Sequence, residues 1–422
     1  MDASIQPKLR VVLATVGTRG DVQPMLALAQ ALRHRGHDAL LACPESFAAQ
    51  VTGFGVAHAA LGEDLQALME EKGGQLQRSL AGMKRYFTEQ QCAQAPRLLE
   101  LARDAHVVVG TAMAWSAASV AEKLGIPALT LFPTSCAPSR LHPPPLLPLY
   151  GLPQWVNALL WRLNVSVQDR LMGQPLNAAR DVLGLPALPS FTRSLYLGTP
   201  AVIAADESFL PADPAWGDRY RYTGYLFADD PRPLDPALES YLAAGEPPVC
   251  VGFGSMAGAQ PARMQRVLLE ALGGSGRRCL VLSGAAKLFG DAALPKGWFA
   301  AREAPHAALF PRVACVVHHG GAGTVAAVLR AGVPQVVLPM MLDQFHHRHH
   351  LVRAGLAPHA PRLAKVDAGS LARALEQALA LPVEPRQAMS ARLQARHGGA
   401  TLAEHLEGML AARTAASGQV RR

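Results

Sequence analysis

The chain has 422 residues, half of them hydrophobic and 17% charged, with 40 Lys and Arg against 32 Asp and Glu for a net charge of +8. That length exceeds one ordinary core, so two domains are expected, and the apolar content is that of a soluble globular protein. The basic residues are mostly Arg and scattered, not interleaved with aromatics, which argues against a nucleic-acid surface.

The six cysteines, Cys43, Cys92, Cys136, Cys250, Cys279 and Cys315, show no CxxC spacing. Three of them, Cys250, Cys279 and Cys315, sit in apolar runs and read as small buried hydrophobes, neither disulfides nor zinc ligands. The opening MDASIQPKLR has no signal-peptide apolar region, and the uncharged stretch from Ala105 to Ala121 is interrupted by Gly110, Thr111, Ser116 and Ser119. A cytoplasmic protein is expected.

Along the chain, Val11–Val16 reads as a strand and is followed at once by GTRGDVQP, Gly17 to Pro24. Two glycines let the loop bend, and Asp21 stands where it could cap a helix predicted from Met25 to Arg35. Ala39–Cys43, Val107–Gly110 and Ala128–Phe132 are further strands, with a helix over Trp115–Leu124. Their unbroken Val, Leu and Ala character suits a parallel sheet covered on both faces.

Seven prolines between Pro133 and Pro153 mark a loop with few backbone donors. Beyond it Trp155, Leu159, Leu160, Leu163, Val167 and Leu171 recur at helical spacing. That face packs on its own domain, lines an apolar acceptor pocket, or touches a membrane surface. Prolines and acids from Leu226 to Pro236 form a linker.

After Pro248 the alternation restarts: strands at Val249–Phe253, Cys279–Ser283, Cys315–His318 and Val336–Pro339, and helices at Ala262–Leu272 and Thr324–Arg330. The fold class is therefore α/β, two Rossmann-like doubly wound parallel-sheet domains facing across a cleft, with ligands at the C-terminal edges of the strands. The divisions are an acceptor-side domain over 1–228, a linker over 229–245, a donor-side domain over 246–412, and a disordered tail over 413–422.

The strongest local signal is HHGGAGT, His318 to Thr324, between a strand and a helix. N–H groups at a helix N-terminus lack intrahelical partners, and the helix dipole makes that end partly positive. Glycines let an anion approach, and an adjacent His can donate. At about 1.5–3 kcal/mol for each charge-assisted bond, three or four would hold a diphosphate. No Lys follows the glycines, so this is not a Walker P-loop.

HHGGAGT followed by LRAGVPQVVLPMMLDQF, Leu329 to Phe345, resembles the donor signature of family-one glycosyltransferases of the GT-B fold. VGFGSM, Val251 to Met256, and GTRGDVQP resemble the sterol 3-β-glucosyltransferase and glycopeptide glycosyltransferase branch. LLWRLN and NAARDVLGLP are similar to the rhamnosyltransferase B chain. The likeness runs over nearly the whole chain, weakest over 50–105 and after Pro382.

This resemblance implies that His319, Gly320, Gly321, Gly323 and Thr324 cradle a diphosphate, with Ser255 approaching the same phosphates. Asp343 and Gln344 would receive the donor sugar's hydroxyls, and Glu303, Ala304 and His306 would frame the base. Thr18, Arg19, Gly20 and Trp155 would belong to the acceptor side. Asp21 takes the place of the plant branch's catalytic His, as general base, without a relay carboxylate, since Gly110-Thr111 occupy that position. Ala327 replaces the ribose-gripping Glu, and Glu303 the base-stacking Trp.

The implied reaction is inverting transfer of a hexosyl group from a UDP- or dTDP-linked sugar to a hydroxyl of a lipophilic small molecule or lipid. The nucleotide sugar is a co-substrate and no cofactor is expected. A peripheral contact with the inner face of a membrane stays open. A non-catalytic auxiliary subunit and a nucleotide-sugar epimerase of the same fold are the alternatives. In DQFHHRHH, His346 with His349 or His350 has spacing tolerable for zinc. It lacks a separate third-ligand motif, and His58, His142 and His397 have no context, so no metal is expected.

Overall fold

Nearly uninterrupted runs of Val, Leu and Ala become the strands of two parallel sheets in the computed structural model. It describes residues 8–63, 80–230, 232–254, 261–273, 276–284, 288–289 and 293–419. The first sheet holds β1 (Arg10–Ala14), β2 (Asp38–Cys43), β3 (Ala57–Ala60), β4 (Val107–Thr111), β5 (Ala128–Phe132), β6 (Ala201–Ile203) and β7 (Tyr220–Tyr222), in the order 3-2-1-4-5-6-7. The second holds β8 (Val249–Gly252), β9 (Cys279–Leu282), β10 (Trp298–Ala301), β11 (Cys315–His318) and β12 (Gln335–Val337), in the order 10-9-8-11-12.

Every pairing is parallel, with Val12 opposite Leu40 on one side and Val108 on the other. Such strands need both faces covered, and the side-chain period of two divides them accordingly. Val11 and Leu13 join the core beneath the Arg19–His34 helix, whereas Val12 and Ala14 pack with Leu98, Ala117 and Val120 on the other face. Val251 and Cys250 are divided in the same way in the second sheet. All six cysteines are free thiols, and burial pushes those of Cys250, Cys279 and Cys315 up.

Strand order reverses between β1 and β4 and again between β8 and β11, so the segments leaving these strands open at the C-terminal edges, where ligands of doubly wound sheets bind. A third cluster joins the lobes: Phe132, Tyr196 and Ile203 pack with Val325, Leu329, Val337 and Leu351.

Several expectations change. The first helix begins at Arg19, six residues before Met25, because Thr18 caps it. Gly20 is therefore a helical residue of ordinary backbone, and the bend falls on Gly17 alone, with φ +128°. The Gly398–Gln419 helix returns to the first lobe, where Leu402, Ala403 and Leu406 complete its core, so the second unit does not run to 412. That helix also continues through 413–419, which was expected to be a disordered tail. The alanines at 411, 412, 415 and 416 favour helix over coil.

In the Gln154–Val182 helix the predicted apolar face looks outward. Trp155 is 71% exposed and Leu159, Leu163 and Val167 are exposed too, while Asn157, Trp161 and Asn164 are buried. Among the described residues no helix is long and apolar enough to cross a membrane.

Candidate active site

The loop after β1 is built around one carboxylate. The Thr18 N–H donates to Asp21 Oδ2 at 2.9 Å and its hydroxyl to the same oxygen at 3.2 Å, while Gly20 N–H donates to Thr18 Oγ1 at 3.3 Å. This is a capping box with Asp21 at the third helical position, not the N-cap. Gly17 makes room for it, since a Cβ there would come within 2.5 Å of Asp21 Oδ2 and would have to adopt the left-handed region.

Burial raises the Asp21 carboxyl to about 6 against the pull of the two Thr18 hydrogen bonds, and the negative charge of Asp343 adds to the rise. Asp343 belongs to the other lobe. The charge of one sequence-predicted carboxylate is therefore felt by the other across the cleft.

On the facing lobe, β11 ends in His318, which the tertiary structure uses as a brace. Its Nε2 lies 3.0 Å from Gln335 Oε1, and its Nδ1 accepts from Gly320 N–H at 3.1 Å. Gly320 has φ +93° and sits so close to Val337 that a Cβ would come within 2.7 Å. Gly321 is the N-cap of the Ala322–Ala331 helix and offers no side chain there, so the first-turn N–H groups are left to a ligand. Around Gly323 a Cβ would meet nothing within 4 Å. Thr324 follows in the same turn.

His319 Nδ1 is buried without a protein partner, and burial lowers this imidazole to about 4, His347 contributing, so the ring is neutral near pH 7. Gly254 lies beside its ring. Ser255 lies outside the described residues.

Asp343 opens the Asp343–Arg353 helix, after Leu342 with φ +48°. Burial raises its carboxyl, opposed by His347. His347 donates from Nδ1 to Gly320 O at 2.7 Å and has Asp343 Oδ2 at 3.9 Å, so it ties the Asp343–Arg353 helix to the glycine turn. The neighbouring Gln344 is committed otherwise: its Oε1 accepts from Met340 N–H at 2.8 Å and Met341 N–H at 3.2 Å. Only its amide nitrogen is left to meet a hydroxyl.

Arg19, expected on the acceptor side, is engaged in an ion pair. Its guanidinium crosses the cleft to Glu303 at 2.9 Å, where Arg232 also reaches, at 3.4 Å. Ala304 turns its methyl into the core, so only its backbone can face a base, and His306 stacks on Phe310 with centroids 4.4 Å apart. Ala327 packs against the same core and leaves no carboxylate for a ribose.

Trp155 stands on the outer surface. An aromatic group at the C-terminal edge of the sheet is formed instead by Trp115, just past β4, with Phe87 at 5.3 Å and Phe191 at 4.9 Å. Sequence reasoning missed Trp115, although its place five residues beyond a predicted strand was the available signal. It also missed His347, which was hidden in a histidine run, and His142. The proline-rich loop brings His142 to His346 and His350, supplying the third imidazole that the sequence lacked.

Two doubly wound lobes with a glycine-lined turn facing a carboxylate define the GT-B glycosyltransferase architecture. Residues 11–143 match the glycosyltransferase family 28 N-terminal domain, and residues 267–400 the erythromycin biosynthesis protein CIII-like C-terminal domain. The glycosyltransferase VinC in complex with dTDP shares this fold with TM-score 0.67 at 20% identity, over 96% of this chain and 100% of that one. The vancomycin aglycone glucosyltransferase of Amycolatopsis orientalis is 35% identical over 410 residues, 94% of this chain and 97% of that protein. A sterol 3-beta-glucosyltransferase of Arabidopsis thaliana is 29% identical over 398 residues, 87% of this chain and 63% of that protein. The chain belongs to the family-one GT-B glycosyltransferases and is a nucleotide-sugar-dependent enzyme.

Proposed function

We propose that this enzyme moves a hexosyl group from a UDP- or dTDP-linked sugar to a hydroxyl of a lipophilic small molecule or lipid, with inversion, and that Asp21 is the general base. The observation that carries the reading is that Asp21 and Asp343, from opposite lobes, lie near enough for the charge of Asp343 to raise the Asp21 carboxyl. Thr18 engages Asp21 through Oδ2, so Oδ1 would take the acceptor proton. The freed oxygen attacks the anomeric carbon as the bond to the diphosphate breaks on the opposite side, and one displacement inverts the configuration.

The leaving diphosphate carries its charge to the N–H groups of Gly321–Thr324 and to the unpartnered ring nitrogen of His319. These preorganised donors do the work a metal would otherwise do, so the displacement itself calls for no metal or cofactor. Asp343 and the Gln344 amide nitrogen would hold the sugar. Phe87, Trp115 and Phe191 would form the apolar wall of the acceptor site. The vancomycin aglycone and the sterol in the relatives' names support a hydroxyl-bearing acceptor.

The test is Asp21→Asn with a panel of UDP- and dTDP-sugars and hydroxylated acceptors. Turnover should fall about 10²–10⁴-fold, roughly 3–5.5 kcal/mol, with donor affinity kept and the opposite anomeric configuration in the wild-type product by NMR. Unchanged turnover would remove Asp21 from the reaction. Conversion of the donor into an epimeric nucleotide sugar, with no free nucleotide and no acceptor product, would favour an epimerase. His319→Ala should weaken donor binding instead.

A further inference from the structure

Three imidazoles converge where the lobes meet. His142 stands in the proline-rich loop of the first lobe, and His346 and His350 are one turn apart on the Asp343–Arg353 helix of the second. One ring nitrogen from each lies within 4.8 Å of the other two. The centroids are 4.9, 4.9 and 4.5 Å apart, and the rings cross at 75°, 76° and 69° instead of stacking.

All three side chains are buried, and Nε2 of both His142 and His350 has no hydrogen-bond partner. A buried polar atom left unpaired costs about 1–3 kcal/mol, so two at one point need a reason.

The loop is held so that His142 arrives there. Asp213 accepts from Ser139 Oγ at 2.6 Å and from Arg140 N–H at 2.7 Å, and Trp161 Nε1 donates to the His142 carbonyl at 2.8 Å. Ser135 Oγ lies 3.0 Å from His346 Nε2 and fixes that ring in turn, in the manner of the outer partners that orient metal-binding histidines.

We propose that His142, His346 and His350 bind a divalent transition-metal ion, zinc fitting best, which clasps the proline-rich loop of the acceptor lobe to the helix that begins at Asp343. Zinc to nitrogen distances of about 2.0–2.1 Å in a tetrahedral site put the nitrogens roughly 3.4 Å apart. Nitrogens that lie within 4.8 Å of one another need to close by at most about 1.4 Å to reach that spacing, and a water completes the coordination. The ion is a structural clasp between lobes, and no step of sugar transfer passes through it, so the inference stands or falls apart from the proposed reaction.

The full-length protein, stripped with chelator, would be titrated with zinc by calorimetry and with cobalt by visible absorption. One ion per chain is expected, with the intense visible bands of tetrahedral cobalt and a rise in Tm. His142→Ala and His350→Ala should each weaken zinc binding at least 100-fold, while His397→Ala, at an exposed histidine, should not. Circular dichroism checks the fold of each variant, and His142→Gln serves if His142→Ala does not fold. Absence of stoichiometric binding in the wild type, or unaltered affinity in a folded His142 variant, would overturn the site; the latter would mark an adventitious ion only.

Discussion

Ionising Asp21 places a negative charge beside Asp343 in surroundings that burial has already made unfavourable for it. The rise from 3.8 to about 6 corresponds to about 3 kcal/mol against the charged form. The folded state binds this proton more tightly than the unfolded chain, so the native state is favoured most below pH 3.8 and loses that advantage as pH rises through 6. Asp21→Asn should therefore unfold at higher urea concentration than wild type at pH 8, by about 2–3 kcal/mol, and show no gain at pH 3.5. The same group predicts an acid limb near pH 6 in kcat/KM, and removing the neighbouring charge with Asp343→Asn should move that limb to lower pH. A limb that stays in place would separate the two carboxylates. At this scale the sequence was legible where the contact is local. Thr18 and Asp21 are three residues apart, and the glycine turn is contiguous. It misled where a side chain's partner is remote: Gln344 is used by the backbone of Met340 and Met341, and Arg19 by Glu303.

Among the helices, the one over Gly398–Gln419 departs most from expectation. Besides its apolar side, it carries Glu407, which takes Arg35 through two bonds of 2.7 and 2.8 Å and His37 Nε2 at 2.7 Å. Arg35 holds the Glu407 carboxyl down at about 2, against an opposing contribution from burial, from the usual 4.5. Discounted for the partial exposure of Arg35, that is about 2 kcal/mol. A depressed carboxyl contributes fully above pH 4.5 and loses its effect as pH falls towards 2. Glu407→Gln should be less stable than wild type in urea at pH 7, with the gap narrowing steadily below pH 4.5. A constant gap would assign the loss to packing. Sequence order assigns this helix to the lobe before it, because periodicity reveals that a helix has an apolar face but not which core will cover it.

For the molecule as a whole, the lobes are joined by Asp206, wholly buried, which pairs with Arg392 at 2.9 Å and Arg396 at 3.0 Å. The partners are unequal, since both arginines are almost half exposed. Removing them together leaves a buried carboxylate with Ser208 as its remaining donor and should cost about 3 kcal/mol. Asp206→Ala leaves arginines that water can solvate, and should cost only about 1–2 kcal/mol. Thermal unfolding of Arg392→Ala/Arg396→Ala beside Asp206→Ala checks this order, and the reverse order would remove the clamp from the account. The Arg19–Glu303 pair at the cleft mouth is exposed at both ends and adds little, within about 1 kcal/mol.

By itself the sequence determined the two parallel sheets, the glycine turn at the head of a helix, and the loop that carries Asp21. Each depends on neighbours a few residues apart, through strand alternation, helix capping and backbone freedom. Only the tertiary structure decided what lies opposite what. It set Asp21 against Asp343 and gathered His142 with His346 and His350. It also returned the last helix to the first lobe and turned the Trp155 stripe outward. The longest of those relations join residues more than three hundred positions apart, and burial, not local propensity, fixes which groups must share one space.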